Sequence, residues 1–175
     1  SAQNRISIGE VMTSLNQSGK TARKVGIDTA AVRRDIEARI QKEGGGNATS
    51  APPVAETLRK LPNFIVQIQF DLDSDVIRPE SWATIGRIAD ALHHPLLAGN
   101  RFLIVGHTDS TGTRRHNLEL SDRRAMAVAE LLTTTFRVSN RRALAIGFGE
   151  EQIFDTSNSK AAVNRRVEFI NLGPL

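Results

Sequence analysis

Between Gly106 and Ala125 the chain combines a polar run, Gly106-His107-Thr108-Asp109-Ser110-Thr111-Gly112, with the start of a helix-like pattern. Set at about 100° per residue, Leu118, Ser121, Ala125, Val128, Leu131 and Leu132 form one inward stripe, and Asn117 and Arg124 fall on it. Arg123, Glu119, Asp122, Met126 and Glu130 point elsewhere. A guanidinium on an inward face costs several kcal/mol unless it is paired, so the first half of this helix is expected to face something anionic. Asp109, just before the helix, is the candidate within the chain. Two arrangements satisfy both charges. Asp109 and Arg124 neutralise each other as a structural ion pair, or both line a pocket for a ligand of mixed charge. A zwitterion suits the second, with Asp109 taking an ammonium and Arg124 gripping a carboxylate with two prongs.

Other chemistries find little support. His107 stands near Asp109, but no second ligand lies at a metal-like spacing; His93 and His94 sit at a helix end and His116 on the next turn. Ser110 and Ser121 lack a nucleophile elbow. Asp71, Asp73 and Asp75 lack the glycine and terminal glutamate of a calcium loop. With no cysteine there is no disulfide or thiol chemistry. No cofactor or metal is called for.

The elements that position this run can be read around it. Phe64 to Phe70 alternates, with Phe64, Val66, Ile68 and Phe70 on one face and Gln67 and Gln69 on the other, the period of a half-buried strand. After a loop from Asp71 to Arg78, Pro79 fits the first turn of a helix presenting Trp82, Ile85, Ala89 and Leu92 and stopping before Pro95. Phe102 to Val105, Ala143 to Phe148 and Arg166 to Leu172 read as three further strands. The expected architecture is α+β: a βαβαββ order with the helices packed on one face of a four-stranded mixed sheet, burying Trp82, Ile85, Leu92, Val128, Leu131, Phe64, Val66 and Phe169 together.

Ahead of it, Asp28 or Thr29 caps a helix through Lys42 with Val32, Ile36 and Ile40 one turn apart, and Ile8, Val11 and Leu15 suggest a shorter one. A lone helix of that length is marginal in water, so it must lie on the domain, pair with a copy or dock on a partner. The expected division is residues 1–43, an N-terminal helical or flexible segment; 44–53, a glycine- and proline-rich linker; and 54–175, the folded domain, opening with a short helical lead-in from Val54 to Leu61.

The 175 residues, 39% hydrophobic and 24% charged, suit one ordinary domain with an appendage. No apolar run reaches the ~18 residues of a membrane-spanning helix. The net charge is only +4 and the arginine pairs, such as Arg33-Arg34 and Arg141-Arg142, are interrupted by acids or apolar residues. With no tyrosine and one tryptophan there is no basic stripe with aromatics to stack nucleic acid, so no nucleic-acid partner is expected.

The run resembles the OmpA-like peptidoglycan-binding domain, found in outer-membrane protein A, the peptidoglycan-associated lipoprotein and the flagellar stator subunit. The matching residues are Gly106, His107, Thr108, Asp109, Gly112, Asn117, Leu120, Ser121, Arg124 and Ala125, then Asn164, Arg165, Arg166 and Val167; the likeness covers about Asn63 to Leu172. The resemblance implies the same βαβαββ topology, a location in the periplasm associated with the outer membrane, and a pocket for the meso-diaminopimelate residue of the peptidoglycan stem peptide. It implies Asp109 for the ammonium, Arg124 for the carboxylate, and main-chain N–H donors near Thr108 to Ser110. Asn117 is placed to brace the loop or to touch ligand. By position, Leu72 and Asp73 match the family's opposite wall, with leucine where an aromatic is commoner. Arg166 matches an arginine that reaches the binding loop, or is a strand-edge charge.

The function expected is therefore a non-catalytic cell-wall anchor, with the N-terminal segment as spacer, as a contact for an envelope protein, or as a means of self-association. A wall-acting hydrolase is the alternative. It needs paired carboxylates or a metal triad, and neither is evident. A basic nucleic-acid adaptor is a third.

Overall fold

A computed structural model of the chain describes residues 5–17, 23–43, 48 and 53–175. Among these, four strands form one mixed sheet in the order β1-β4-β2-β3. They are β1 (Asn63–Val66), β2 (Asn100–His107), β3 (Ala143–Gly149) and β4 (Arg166–Pro174). β2 runs parallel to β3, while β4 is antiparallel to both β1 and β2. Helix α3 (Trp82–His93) joins β1 to β2 and helix α4 (Arg114–Thr134) joins β2 to β3, giving the expected βαβαββ order.

Strand β2 sits centrally and is buried on both sides, so its residues alternate between two cores. Phe102 and Ile104 pack with Ile85, Ile88, Val128 and Leu132 of α3 and α4. Leu103 and Val105 pack on the other face with Ile36, Ile40, Val54 and Leu58. The two helices of the βαβαββ unit thus share one face, and the part of the N-terminal chain that carries Ile36, Ile40, Val54 and Leu58 covers the other. Helix α4 crosses the sheet closely: a Cβ on Gly106 or Gly147 would strike the main chain of Ser121 or Asp122. These two glycines let the helix lie directly on the strand ends that carry the polar run.

Helix α1 (Ile8–Leu15) and helix α2 (Thr29–Glu43) both lie on this domain. Ser7 caps α1 through Glu10 N–H at 3.0 Å, and Asp28 Oδ1 accepts from Ala31 N–H at 3.0 Å at the start of α2. Val11 and Leu15 are fully buried in the first core and Ile36 and Ile40 in the second. Arg33 pairs with Asp122 of α4 at 2.5 Å, and Glu43 with Arg114 at 2.7 Å. Most of the expected linker, 44–53, lies outside the described residues. The lead-in after it is a 3-10 helix, Glu56–Lys60.

Three expectations are corrected. Trp82 is 46% exposed rather than buried, because α3 starts at it after a 3-10 turn and its indole Nε1 donates to Ile77 C=O at 3.4 Å instead of entering the core. β1 ends at Val66, four residues before the alternation does, because its partner β4 begins only at Arg166, opposite His107. β2 extends through Gly106 and His107, so the first two residues of the polar run are strand.

Candidate functional site

Asp109 leaves the end of β2 and is 8% exposed. Its Oδ1 accepts from Thr111 N–H at 2.8 Å and its Oδ2 is 2.7 Å from Arg165 Nη1. Burial works to raise this carboxyl, but the Thr111 N–H and Arg165 outweigh it and hold it below the ordinary aspartate range. Gly112, at φ +86°, allows the reversal into α4, which Thr113 caps by accepting from His116 N–H at 3.1 Å.

Arg124 projects from the second turn-pair of α4, as the helical wheel requires, but not toward Asp109. Its Nε donates to Ser74 C=O at 2.8 Å, one Nη2 hydrogen points at Asp71 C=O at 3.4 Å, and the guanidinium stacks 4.8 Å from the centre of the Phe70 ring. No carboxylate among the described residues forms an ion pair with it. Burial lowers its pKa from the ordinary arginine value, partly opposed by Asp73. The structural ion pair that the sequence left open is therefore absent.

Arg124 instead lines a cavity of about 210 Å³ together with Gln67, Ile68, Gln69, Phe70, Asp71, Leu72, Ala162 and Arg165. A smaller recess of about 20 Å³ shares Ile68, Phe70, Arg124 and Arg165 and adds Gly106, Ser121 and Arg166. Leu72, 98% exposed, offers an apolar wall. Two guanidiniums in one open cavity suit a carboxylate, while Asp109, expected to line the same pocket, is not among its lining residues and meets it only through Arg165.

The remaining candidates are placed differently. Asp73, at φ +48°, turns to His116 Nε2 at 2.6 Å and ties the 71–78 loop to α4 rather than lining the cavity. The N–H groups of Thr108 and Ser110 are not free donors, since they bond to Gly149 C=O at 2.9 Å and Ser159 C=O at 3.0 Å. The Ser110 hydroxyl meets Ser159 at 2.7 Å, while the buried Thr108 hydroxyl has no partner among the described residues. Asn117 is buried and braces the loop, its Nδ2 reaching Asp109 C=O at 3.3 Å, Thr111 C=O at 2.9 Å and Glu150 at 3.0 Å. Burial raises the Glu150 carboxyl, partly offset by that amide.

Arg166 is buried and holds the β3–β4 loop, donating to Gln152 C=O at 2.9 Å and Asn164 C=O at 3.2 Å and lying 5.5 Å from the Phe154 ring centre. Burial brings it down to about 10, with Glu168 opposing. Its neighbour Arg165, part of the sequence match but given no ligand role there, is the arginine that reaches Asp109. The signal was positional: β4 begins at Arg166, so Arg165 stands just off the strand, where its side chain turns to the cavity. Ser74 and Phe70, which orient Arg124 by carbonyl and ring face, were also missed, because a main-chain acceptor has no residue signature.

Residues 69–166 match the OmpA family model, and the chain belongs to the OmpA family. It is 35% identical over 124 residues to outer membrane porin F of Pseudomonas aeruginosa, covering 70% of this chain and 34% of the porin. It is 42% identical over 79 residues to the peptidoglycan-associated lipoprotein of Legionella pneumophila, covering 44% and 43% of the two. In structure it resembles the cell wall anchor of the T6SS from Pseudomonas aeruginosa, with 26% identity and a TM-score of 0.52 over 81% of this chain and 94% of the other. The chain spans about a third of the length of the porins it matches.

Proposed function

We propose that this chain is a non-catalytic peptidoglycan-binding module that holds the diaminopimelate residue of the stem peptide. From the periplasm it tethers the outer membrane, or an envelope complex, to the cell wall. The observation that carries this is Arg124, a half-buried guanidinium facing a cavity, whose partners among the described residues are carbonyls and an aromatic face. In this reading the carboxylate of the ligand's zwitterionic end sits on Arg124, and its ammonium takes Asp109 in exchange for Arg165. Leu72 covers the apolar arm between the ligand's two amino-acid centres. Asn117, Thr108, Ser110, Asp73 and Arg166 hold the loops that fix these groups.

The relatives support wall binding through their names, a peptidoglycan-associated lipoprotein and a cell wall anchor, and the porins support the outer-membrane setting. Two charge-assisted contacts of roughly 1.5–3 kcal/mol each, less the cost of immobilising the ligand, give weak capture of one stem. A polymer displaying many stems turns weak capture into firm attachment. Selectivity exceeds affinity, because lysine in place of diaminopimelate leaves Arg124 without an anion.

Sedimentation with purified sacculi tests the reading. The wild-type chain is expected to pellet with intact wall, and Arg124→Ala to stay in the supernatant with an unchanged circular dichroism spectrum. Equal pelleting of both contradicts the pocket, and release of soluble muropeptides points to a hydrolase.

A further inference from the structure

The stretch after β1 keeps the alternation of a strand but loses its pairing with β4, and on its other edge Phe70 forms an isolated antiparallel bridge with Ile77. Val66 and Ile68 are buried while Gln67 and Gln69 are exposed, and β1 pairs with β4 only as far as Val66 opposite Val167. In a strand, the N–H and C=O of one residue point to one edge and those of the next to the other. Asn171 N–H donates to Pro62 C=O at 2.9 Å, so the even-numbered residues of this stretch aim toward β4. The odd ones aim away and are satisfied. Gln69 N–H donates to Ser81 Oγ at 2.8 Å, Gln69 C=O accepts from Arg78 N–H at 2.8 Å, and Asp71 N–H donates to Val76 C=O at 3.0 Å.

Ile68 and Phe70 lie past the start of β4, and neither their N–H nor their C=O groups find a hydrogen-bond partner among the described residues. The register would set Arg165 opposite Ile68, but Arg165 N–H turns into a tight turn and donates to Ala162 C=O at 3.0 Å. Both open residues border the cavity that holds Arg124 and Arg165. Open main-chain groups at the end of a strand are a template for another extended chain. The Arg124 guanidinium, without a carboxylate partner among the described residues, selects an extended chain that carries negative charge.

We infer that Ile68 and Phe70 bind the ligand's own main chain by β-type hydrogen bonds, so that the stem peptide lies in the cleft as a short added strand continuing the place of β4. This rests on the peptidoglycan reading and deepens it: the zwitterionic end enters the Arg124 and Asp109 pocket while the backbone amides flanking diaminopimelate pair with the edge. Main-chain pairing is indifferent to neighbouring side chains, so the site reads the diaminopimelate head and tolerates variation beside it.

Calorimetry on the full chain compares free diaminopimelate, a stem tetrapeptide containing it, and two ester analogues, each replacing one amide flanking that residue. The tetrapeptide is expected to bind more tightly than the free amino acid, and at least one ester about 2- to 10-fold more weakly than the tetrapeptide, the loss of one hydrogen bond. Amide hydrogen exchange at Ile68 and Phe70 is expected to slow when the tetrapeptide is present. Both esters matching the amide peptide, or unslowed exchange at both residues, overturns the strand pairing while leaving the head-group pocket in place. Failure of free diaminopimelate itself to bind overturns the parent reading and this inference with it.

Discussion

Asp109 Oδ2 lies 2.7 Å from Arg165 Nη1, so the carboxylate at the end of β2 is held by an arginine from the β3–β4 loop and not by Arg124 of α4. The Arg165 side chain is half exposed, whereas that of Asp109 is nearly buried. Such a pair is a removable cover over the carboxylate, worth about 0–1 kcal/mol.

Arg165→Gln is therefore expected to change stability by less than about 1 kcal/mol in urea unfolding. It should leave affinity for diaminopimelate unchanged or raise it up to about five-fold, since the ligand's ammonium no longer displaces a guanidinium. Titration calorimetry checks this. A large loss of affinity would instead make Arg165 a direct ligand contact.

The Arg114 and Glu151 side chains are both buried and form a two-pronged pair, with Arg114 Nε donating to Glu151 Oε2 at 2.9 Å. Glu43 of α2 joins from the solvent side at 2.7 Å. Removing a buried partner strands a charge, so Glu151→Ala is expected to cost about 3–5 kcal/mol of folding stability. Glu43→Ala should cost under about 1 kcal/mol, as for exposed pairs. Comparable losses in chemical denaturation would mean that α2 is held mainly by Glu43.

His107 is buried beside Glu168, with Nε2 3.2 Å from Oε1 and its ring edge-on to Phe148. Burial brings its pKa down from 6.5 to about 4, with the Glu168 hydrogen bond opposing. Between these values the unfolded chain binds a proton that the folded chain does not, so stability falls as pH drops from about 6.5 toward 4. The slope is at most about 1.4 kcal/mol per pH unit, and the contribution is fully present above 6.5. Urea midpoints from pH 4.5 to 7.5 should fall less steeply for His107→Gln than for wild type. Parallel profiles would show that the buried imidazole is not what titrates.

The stripe on α4 was legible because a 3.6-residue period reports a buried face directly, and Leu118, Ser121, Ala125 and Val128 are all buried. Arg124 was legible for the same reason, as a charge on that face. What it faces was not, since its partners are the Ser74 carbonyl and the Phe70 ring, supplied by a loop fifty residues away. The choice between Arg165 and Arg166 depends on where β4 begins, and one residue of shift exchanges a cavity-facing side chain for a buried one. Likewise Val32, Ile36 and Ile40 announced an apolar side to α2. That it covers the second face of the sheet follows from Leu103 and Val105 alternating with Phe102 and Ile104, a contact between distant parts of the chain.

The most direct measurement is a pair of calorimetric titrations, a stem tetrapeptide containing diaminopimelate against the same peptide with lysine in its place, on wild type and Arg124→Ala. Binding of the diaminopimelate peptide by the wild type, with the lysine peptide and the variant each weaker by about 2–3 kcal/mol, or roughly 30- to 150-fold, is the expected result. Equal binding of the two peptides, or undiminished binding by Arg124→Ala, would contradict a carboxylate held by Arg124.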